Sequence, residues 1–128
     1  MMNDEGGQSD EGRTTDLRLR TRSFALRIVR LYTSLPKTAE AQVLGKQLLR
    51  SGTSVGAHYH EATRARSNAE FISKLQGGLQ ELEETIYWLN LLTDSGIVTK
   101  ERLSDLCKEA DELAAIFVAS VKTVKRRT

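Results

Sequence analysis

Apolar residues fall at spacings of three and four along four successive blocks of the chain, the period of a helix with one buried face. In the first block Leu17, Thr21, Phe24, Ile28, Leu31 and Leu35 share a stripe. Thr15 stands where a hydroxyl can cap the start, with Asp16 at the positive end of the helix dipole. Pro36 ends the block, because the residue before a proline is pushed away from helical torsions. The second block runs from about Thr38 to Ala65, with Leu44, Leu48, Ser51, Val55 and Ala62 on one face. Gly45, Gly52 and Gly56 weaken it, since each glycine lowers intrinsic helicity by about 0.5–1 kcal/mol relative to alanine. Two readings compete: a break near Gly52, or a continuous helix whose small residues admit a neighbouring backbone. The apolar period stays in phase on both sides of Gly52, which favours the continuous helix.

Ser67-Asn68-Ala69-Glu70 is a capping box and opens a third helix carrying Phe71, Leu75, Leu79, Leu82, Ile86 and Leu89. Gly96, within Asp94-Ser95-Gly96, is placed to end it. Thr99 caps a fourth helix with Leu103, Leu106, Ala110, Leu113, Phe117, Val121 and Val124 inward and Lys122, Lys125, Arg126 and Arg127 at its negative dipole end. Short connections force consecutive helices to turn back on one another, so the pattern predicts an all-α, antiparallel up-down-up-down four-helix bundle over residues 15–128. Residues 1–14 hold few apolar side chains and read as a disordered acidic tail. Such a tail keeps the protein soluble or competes with an anionic ligand for a basic face.

A length of 128 residues with 39% hydrophobic content bounds the chain to one modest core, and the single proline and 5% aromatic content suit helices. No run approaches the roughly 20 apolar residues of a membrane span, and no basic-then-apolar leader opens the chain, so a cytoplasmic protein without a membrane partner is expected. Cys107 is the only cysteine and reads as a small core residue at helical spacing from Leu103 and Ala110. The net charge of +2 hides segments of opposite sign. Residues 1–16 set five acids against Arg13, a net of −4, whereas residues 17–66 set ten Lys or Arg against Glu40 and Glu61, a net of +8. The remainder carries a net of −2.

Catalytic chemistry finds little purchase. The pairs Gly6-Gly7 and Gly77-Gly78 lack the strand-loop-helix context of a phosphate cradle, and Cys107 has no nearby base. His58 and His60 stand two residues apart, which on a helix separates them by about 200° and prevents both from meeting one metal ion. No metal, cofactor or enzymatic activity is expected. Glu81, Glu83 and Glu84 form an acidic patch that is either a solvated face or a surface for arginines of a neighbouring subunit. Tyr87 and Trp88 divide between core and interface, with sequence unable to say which is which. The arginines are the most informative side chains, because their planar donor fork matches phosphate oxygens. Arg18, Arg20, Arg22, Arg27 and Arg30 on the first helix, with Arg50, Arg64, Arg66, Lys125, Arg126 and Arg127, are the candidate nucleic-acid-binding residues.

The run Leu49-Arg50-Ser51-Gly52-Thr53-Ser54-Val55-Gly56-Ala57, with Tyr59, Glu61-Ala62, Arg66-Ser67, Glu70-Phe71-Ile72, Lys74-Leu75, Glu84-Thr85 and Tyr87-Trp88-Leu89, carries a family resemblance. It resembles the bacterial four-helix-bundle proteins encoded in intervening sequences of large-subunit ribosomal RNA genes, a family that includes accessory variability proteins of diversity-generating retroelements. The resemblance spans roughly residues 17–126 and departs from the family at His58 and His60, where asparagine and a basic or polar residue are common. It implies a homopentameric ring without enzymatic activity, basic in some members. In the retroelement members it implies binding to nucleic acid and to a reverse transcriptase. Two functions follow as expectations: a homo-oligomeric module contacting RNA, DNA or a ribonucleoprotein partner through its basic face, or a protein scaffold whose ring is the working unit.

Overall fold

The structure, a computed structural model, describes residues 10–127, with side chains described from Asp16 onward. Most of the acidic tail expected over residues 1–14 lies outside the described residues. Four helices follow in order: α1 (Asp10–Ser34), α2 (Ala39–Thr63), α3 (Asn68–Asp94) and α4 (Lys100–Arg127). They form the expected antiparallel bundle, and no helix among the described residues is long and apolar enough to cross a membrane. One boundary differs from the sequence expectation. α1 begins at Asp10, so Thr15 lies inside the helix and does not cap it. A helix nucleated on the packed turns from Leu17 extends backward cheaply, each further residue gaining one backbone bond.

The ends expected at Ser67, Gly96 and Thr99 are set by those residues, and α2 has a cap that was not singled out in the sequence. Thr38 accepts a hydrogen bond from the Ala41 amide at the start of α2. Ser67 accepts from the Glu70 amide, while the Glu70 carboxylate reaches past the cap to accept from the Arg66 amide at 3.2 Å. Thr99 accepts from the Arg102 amide and so caps α4. At the end of α3, Gly96 takes φ +79, and paired bonds from the Gly96 amide to Thr93 and from the Ile97 amide to Leu92 complete a Schellman turn. Beyond it, Val98 is buried among the core residues.

All six positions of the first stripe are buried, from Leu17 to Leu35, as are the fourth-helix residues from Leu103 to Val121. Leu44, Phe71, Leu79, Ile86 and Val124 are half-buried, the first four packed at the margin of the core. Helix α2 is continuous through Gly52, and it is a side chain rather than a backbone that the glycine admits. A Cβ added there would lie 2.8 and 2.9 Å from the two branches of Ile28 and 3.2 Å from its Cβ. On the adjacent side of α2, Ser51 and Thr85 of α3 meet in the core with their hydroxyl oxygens 2.9 Å apart. These oxygens also approach the Leu48 and Glu81 carbonyls, so neither hydroxyl is left without a partner. Helix α2 therefore packs closely against both α1 and α3, whereas α1 and α4 touch only sparsely.

The glycines of α2 give opposite expectations in urea unfolding followed by circular dichroism. Gly52→Ala forces Ile28 to move and lowers stability by about 1–3 kcal/mol. Gly56→Ala meets its nearest neighbour, Thr21, at an ordinary 3.4 Å and raises stability by about 0.5–1 kcal/mol. Equal effects of the two substitutions would contradict the close approach at Ile28.

Candidate nucleic-acid interface

The eleven basic residues picked out by sequence separate into two kinds once the helices are packed. Arg20 and Arg50 are committed to carboxylates of the same chain. Arg20 donates from Nε to Glu109 Oε2 at 3.1 Å, and from Nη2 to Glu109 Oε1 at 2.7 Å and Glu112 Oε1 at 3.0 Å. Hydrogen bonding to Glu109 outweighs burial and raises the Arg20 guanidinium above its already high ordinary range. This is the planar two-pronged pairing for which arginine is suited, and it ties α1 to α4 where the two helices otherwise touch little. Arg50 donates to Glu81 at 3.2 Å and to Glu84, and the hydrogen bond to Glu84 chiefly raises its guanidinium. Glu81 and Glu84 of the acidic patch are thus paired with α2 of their own chain, whereas Glu83 stays exposed.

The other kind faces solvent. Arg18, Arg22 and Arg30 on α1, Arg64 and Arg66 between α2 and α3, and Arg126 and Arg127 at the end of α4 are exposed; Arg27 is half-buried. None of these eight guanidinium groups has a partner among the described residues; Lys125, also exposed, does make an interaction. They do not form one continuous face. Arg66 and Arg127 line a groove of about 640 Å³ at the α2–α3 connection, with Leu17, Tyr59 and Phe71 in its walls. Arg27 and Arg30 line a smaller groove of about 240 Å³ toward the opposite end of the α1–α4 seam. There they are joined by Arg102, over a floor of Leu31, Leu103 and Leu106. Arg102 was not legible as a site residue because it sits in the acidic half of the sequence. Only the packing of α4 beside α1 brings it to Arg27 and Arg30.

The remaining candidates for chemistry are dispersed. His58 packs on the glycine pair of α3, where a Cβ at Gly77 would come within 2.8 Å of its ring, and its Nε2 lies 3.8 Å from Glu81. His60 is exposed. Among the described residues no group of three or more His, Cys, Asp or Glu could hold a metal ion. Tyr87 is exposed and meets the half-buried Trp88 edge-on at 5.0 Å, so Trp88 is the one packed against the core.

Cys107 is half-buried on α4, and burial, followed by the charge of Asp111, pushes its thiol up. The folded thiol accordingly holds its proton above the pH at which an unfolded cysteine, near 8.5, releases it. The stability it contributes is complete below that pH and is lost as pH rises through the folded value. Two observations check this: Cys107 reacts with a disulfide reagent at pH 8 more slowly than glutathione does, and Cys107→Ser removes part of the fall in urea midpoint above pH 8.5. A further expectation separates the arginines. Arg20→Ala leaves Glu109, whose side chain is only 19% exposed, without its partner and costs about 1–3 kcal/mol in urea unfolding. Arg27→Ala and Arg30→Ala stay within about 0.5 kcal/mol of the parent protein.

Comparison with known proteins places this geometry in a family. No curated protein matches the sequence. Among solved structures, the chain is similar to a protein of unknown function from the S23 ribosomal protein family of Bacteroides thetaiotaomicron, with 38% identity and a TM-score of 0.80. The match covers 85% of this chain and 97% of that one. The model of the 23S rRNA-intervening sequence proteins matches residues 14–119, from the first turns of α1 to the last third of α4. With four helices in the expected order and that match across them, the chain belongs to the 23S rRNA-intervening sequence protein family.

Proposed function

We propose that this protein is a non-catalytic, self-associating module that binds structured RNA, alone or within a ribonucleoprotein, through unpaired arginines at the two ends of its bundle. The observation that carries the reading is the division of the arginines. Two are neutralised within the chain, while Arg18, Arg22, Arg27, Arg30, Arg64 and Arg66 have no carboxylate partner among the described residues. Unpaired guanidinium groups suit phosphate oxygens, and phosphate contacts supply most sequence-independent affinity for nucleic acid. The RNA class is favoured over DNA by the family, whose description refers to 23S rRNA. A protein component of the complex, a reverse transcriptase among the kinds the family resemblance implies, fits the same reading.

Self-association is supported by the outer side of α1. Leu19, Leu26 and Val29 are exposed there, opposite the stripe buried in the core, so the helix is apolar on two faces. That stripe also supports the second reading, a protein scaffold without nucleic acid. The cross-subunit pairing of arginines with Glu81 and Glu84 would have to compete with Arg50, which already holds both.

The test is fluorescence anisotropy of a labelled RNA hairpin at 50 and 200 mM salt, with mass measured by light scattering. Binding is expected to weaken steeply with salt at a stoichiometry matching an oligomer. Arg22→Gln with Arg66→Gln is expected to reduce the slope of log affinity against log salt by about 1 for each phosphate that is no longer neutralised. Absence of binding at low salt by a well-assembled oligomer would remove the RNA reading and leave the scaffold.

A further inference from the structure

The groove at the seam between α1 and α4 is lined by three arginines from two distant parts of the sequence: Arg27 and Arg30 from the later turns of α1, and Arg102 from the first turn of α4. No acidic residue lines it among the described residues. Its floor, Leu31, Leu103 and Leu106, offers no hydrogen-bonding side chain to compete with the arginines. Arg102 is held in place, because its Nη2 donates to Ser34 Oγ at 2.5 Å across the seam. The other two have no partner among the described residues, and Arg27 is half-buried.

We infer that this groove binds the terminal phosphate monoester of an RNA. The inference rests on the RNA reading above and names the part of the RNA that this end of the bundle takes. Two physical considerations select the ligand. Among the described residues the groove is lined by three arginines and three leucines, with no aromatic, amide or carboxylate side chain that would stack on or read a base, so it suits an anionic group rather than a nucleoside. Three cations around one small groove overcompensate a phosphodiester, which carries a single charge. A phosphate monoester carries about −1.5 to −2 at neutral pH and presents three terminal oxygens, one for each arginine. The class of ligand is therefore a phosphate monoester, and an RNA end supplies one without the chain having to continue through the floor of the groove.

The experiment compares one RNA hairpin with a short single-stranded overhang in three forms: a 5′-monophosphate, a 3′-monophosphate, and hydroxyls at both ends. Binding of each to the full chain is measured by anisotropy at 100 mM salt. At least one monophosphorylated form is expected to bind tenfold or more tighter than the hydroxyl form. Arg102→Gln is expected to abolish that preference while leaving the affinity of the hydroxyl form within twofold, and Arg64→Gln, at the other end of the bundle, to lower all three forms alike. Circular dichroism of Arg102→Gln confirms the fold, and Ser34→Ala, which releases Arg102 without removing charge, is expected to reduce the preference in part. Equal, tight binding of all three forms would overturn the inference and leave the RNA reading intact. Failure of every form to bind at low salt would overturn both. Adenosine monophosphate displacing the phosphorylated RNA at concentrations near the RNA's own Kd would assign the groove to a free nucleotide and overturn the RNA end as its ligand.

Discussion

The close approach of α1 to α2 at Ile28 and Gly52 is the constraint from which the rest of the arrangement follows. A glycine inside a helix costs intrinsic stability, and it persists here because Ile28 occupies the space a side chain would take. Two turns away, Gly45 receives Leu35 and Tyr32 in the same manner, and the Tyr32 hydroxyl donates to Gln42 near the start of α2. On its other flank, α2 presents Ser51 to Thr85 and Leu48 and Val55 to the core. Helix α2 is thus drawn tightly against two neighbours at once. Helices α3 and α4 also pack closely, and the sparse contact falls at the α1–α4 seam. The seam has a groove toward each end and the Arg20 ion pairs between them.

That seam explains why the fold was legible in the sequence and the site only partly so. Helical stripes depend on near neighbours, three or four residues apart, and every member of the α1 stripe proved buried. Caps are equally local, and Thr38, Ser67, Gly96 and Thr99 each stand where their chemistry predicts. Thr15 misled because the choice between starting a helix and continuing one is made by cooperative backbone bonding, to which a single hydroxyl adds little. Ion pairs between helices have no such local signal. Arg20 meets acids 89 and 92 residues away, and nothing in either segment marks the partnership. Thr85 was missed as a core residue for a related reason: a buried hydroxyl is tolerable only where a partner such as Ser51 waits on another helix.

The charge distribution changes meaning once these pairs are placed. In sequence the basic segment 17–66 and the acidic second half look like two separate surfaces. In the bundle, Glu81, Glu84, Glu109 and Glu112 are spent on Arg50 and Arg20, so part of each surplus cancels inside the protein. The arginines that survive this cancellation lie outside the middle of the seam. Arg64, Arg66 and Arg127 stand at the α2–α3 connection, and Arg27, Arg30 and Arg102 gather toward the opposite end. Arg18 and Arg22 stay exposed on α1 beside Arg20, so the surviving charge is spread along that helix as well as placed at the two ends.

The ion pair that closes the middle of the seam also defines the grooves on either side of it. Apolar side chains of equal volume at positions 20, 109 and 112 would fill the seam without the cost of desolvating charges, and such replacements of partly buried pairs are often stabilising. An apolar seam, however, has no fixed width, because hydrophobic packing is non-directional and lets helices slide and close. A two-pronged arginine-carboxylate pair fixes both the separation of the helices and their relative height. With α1 and α4 held at that spacing, Arg102 can reach Ser34 across the seam, over Leu31, Leu103 and Leu106, which stay buried beneath. On this argument Arg20 bears on the proposed anion site without touching it. It holds α1 beside α4, and so keeps the helix that carries Arg27 and Arg30 next to the one that carries Arg102.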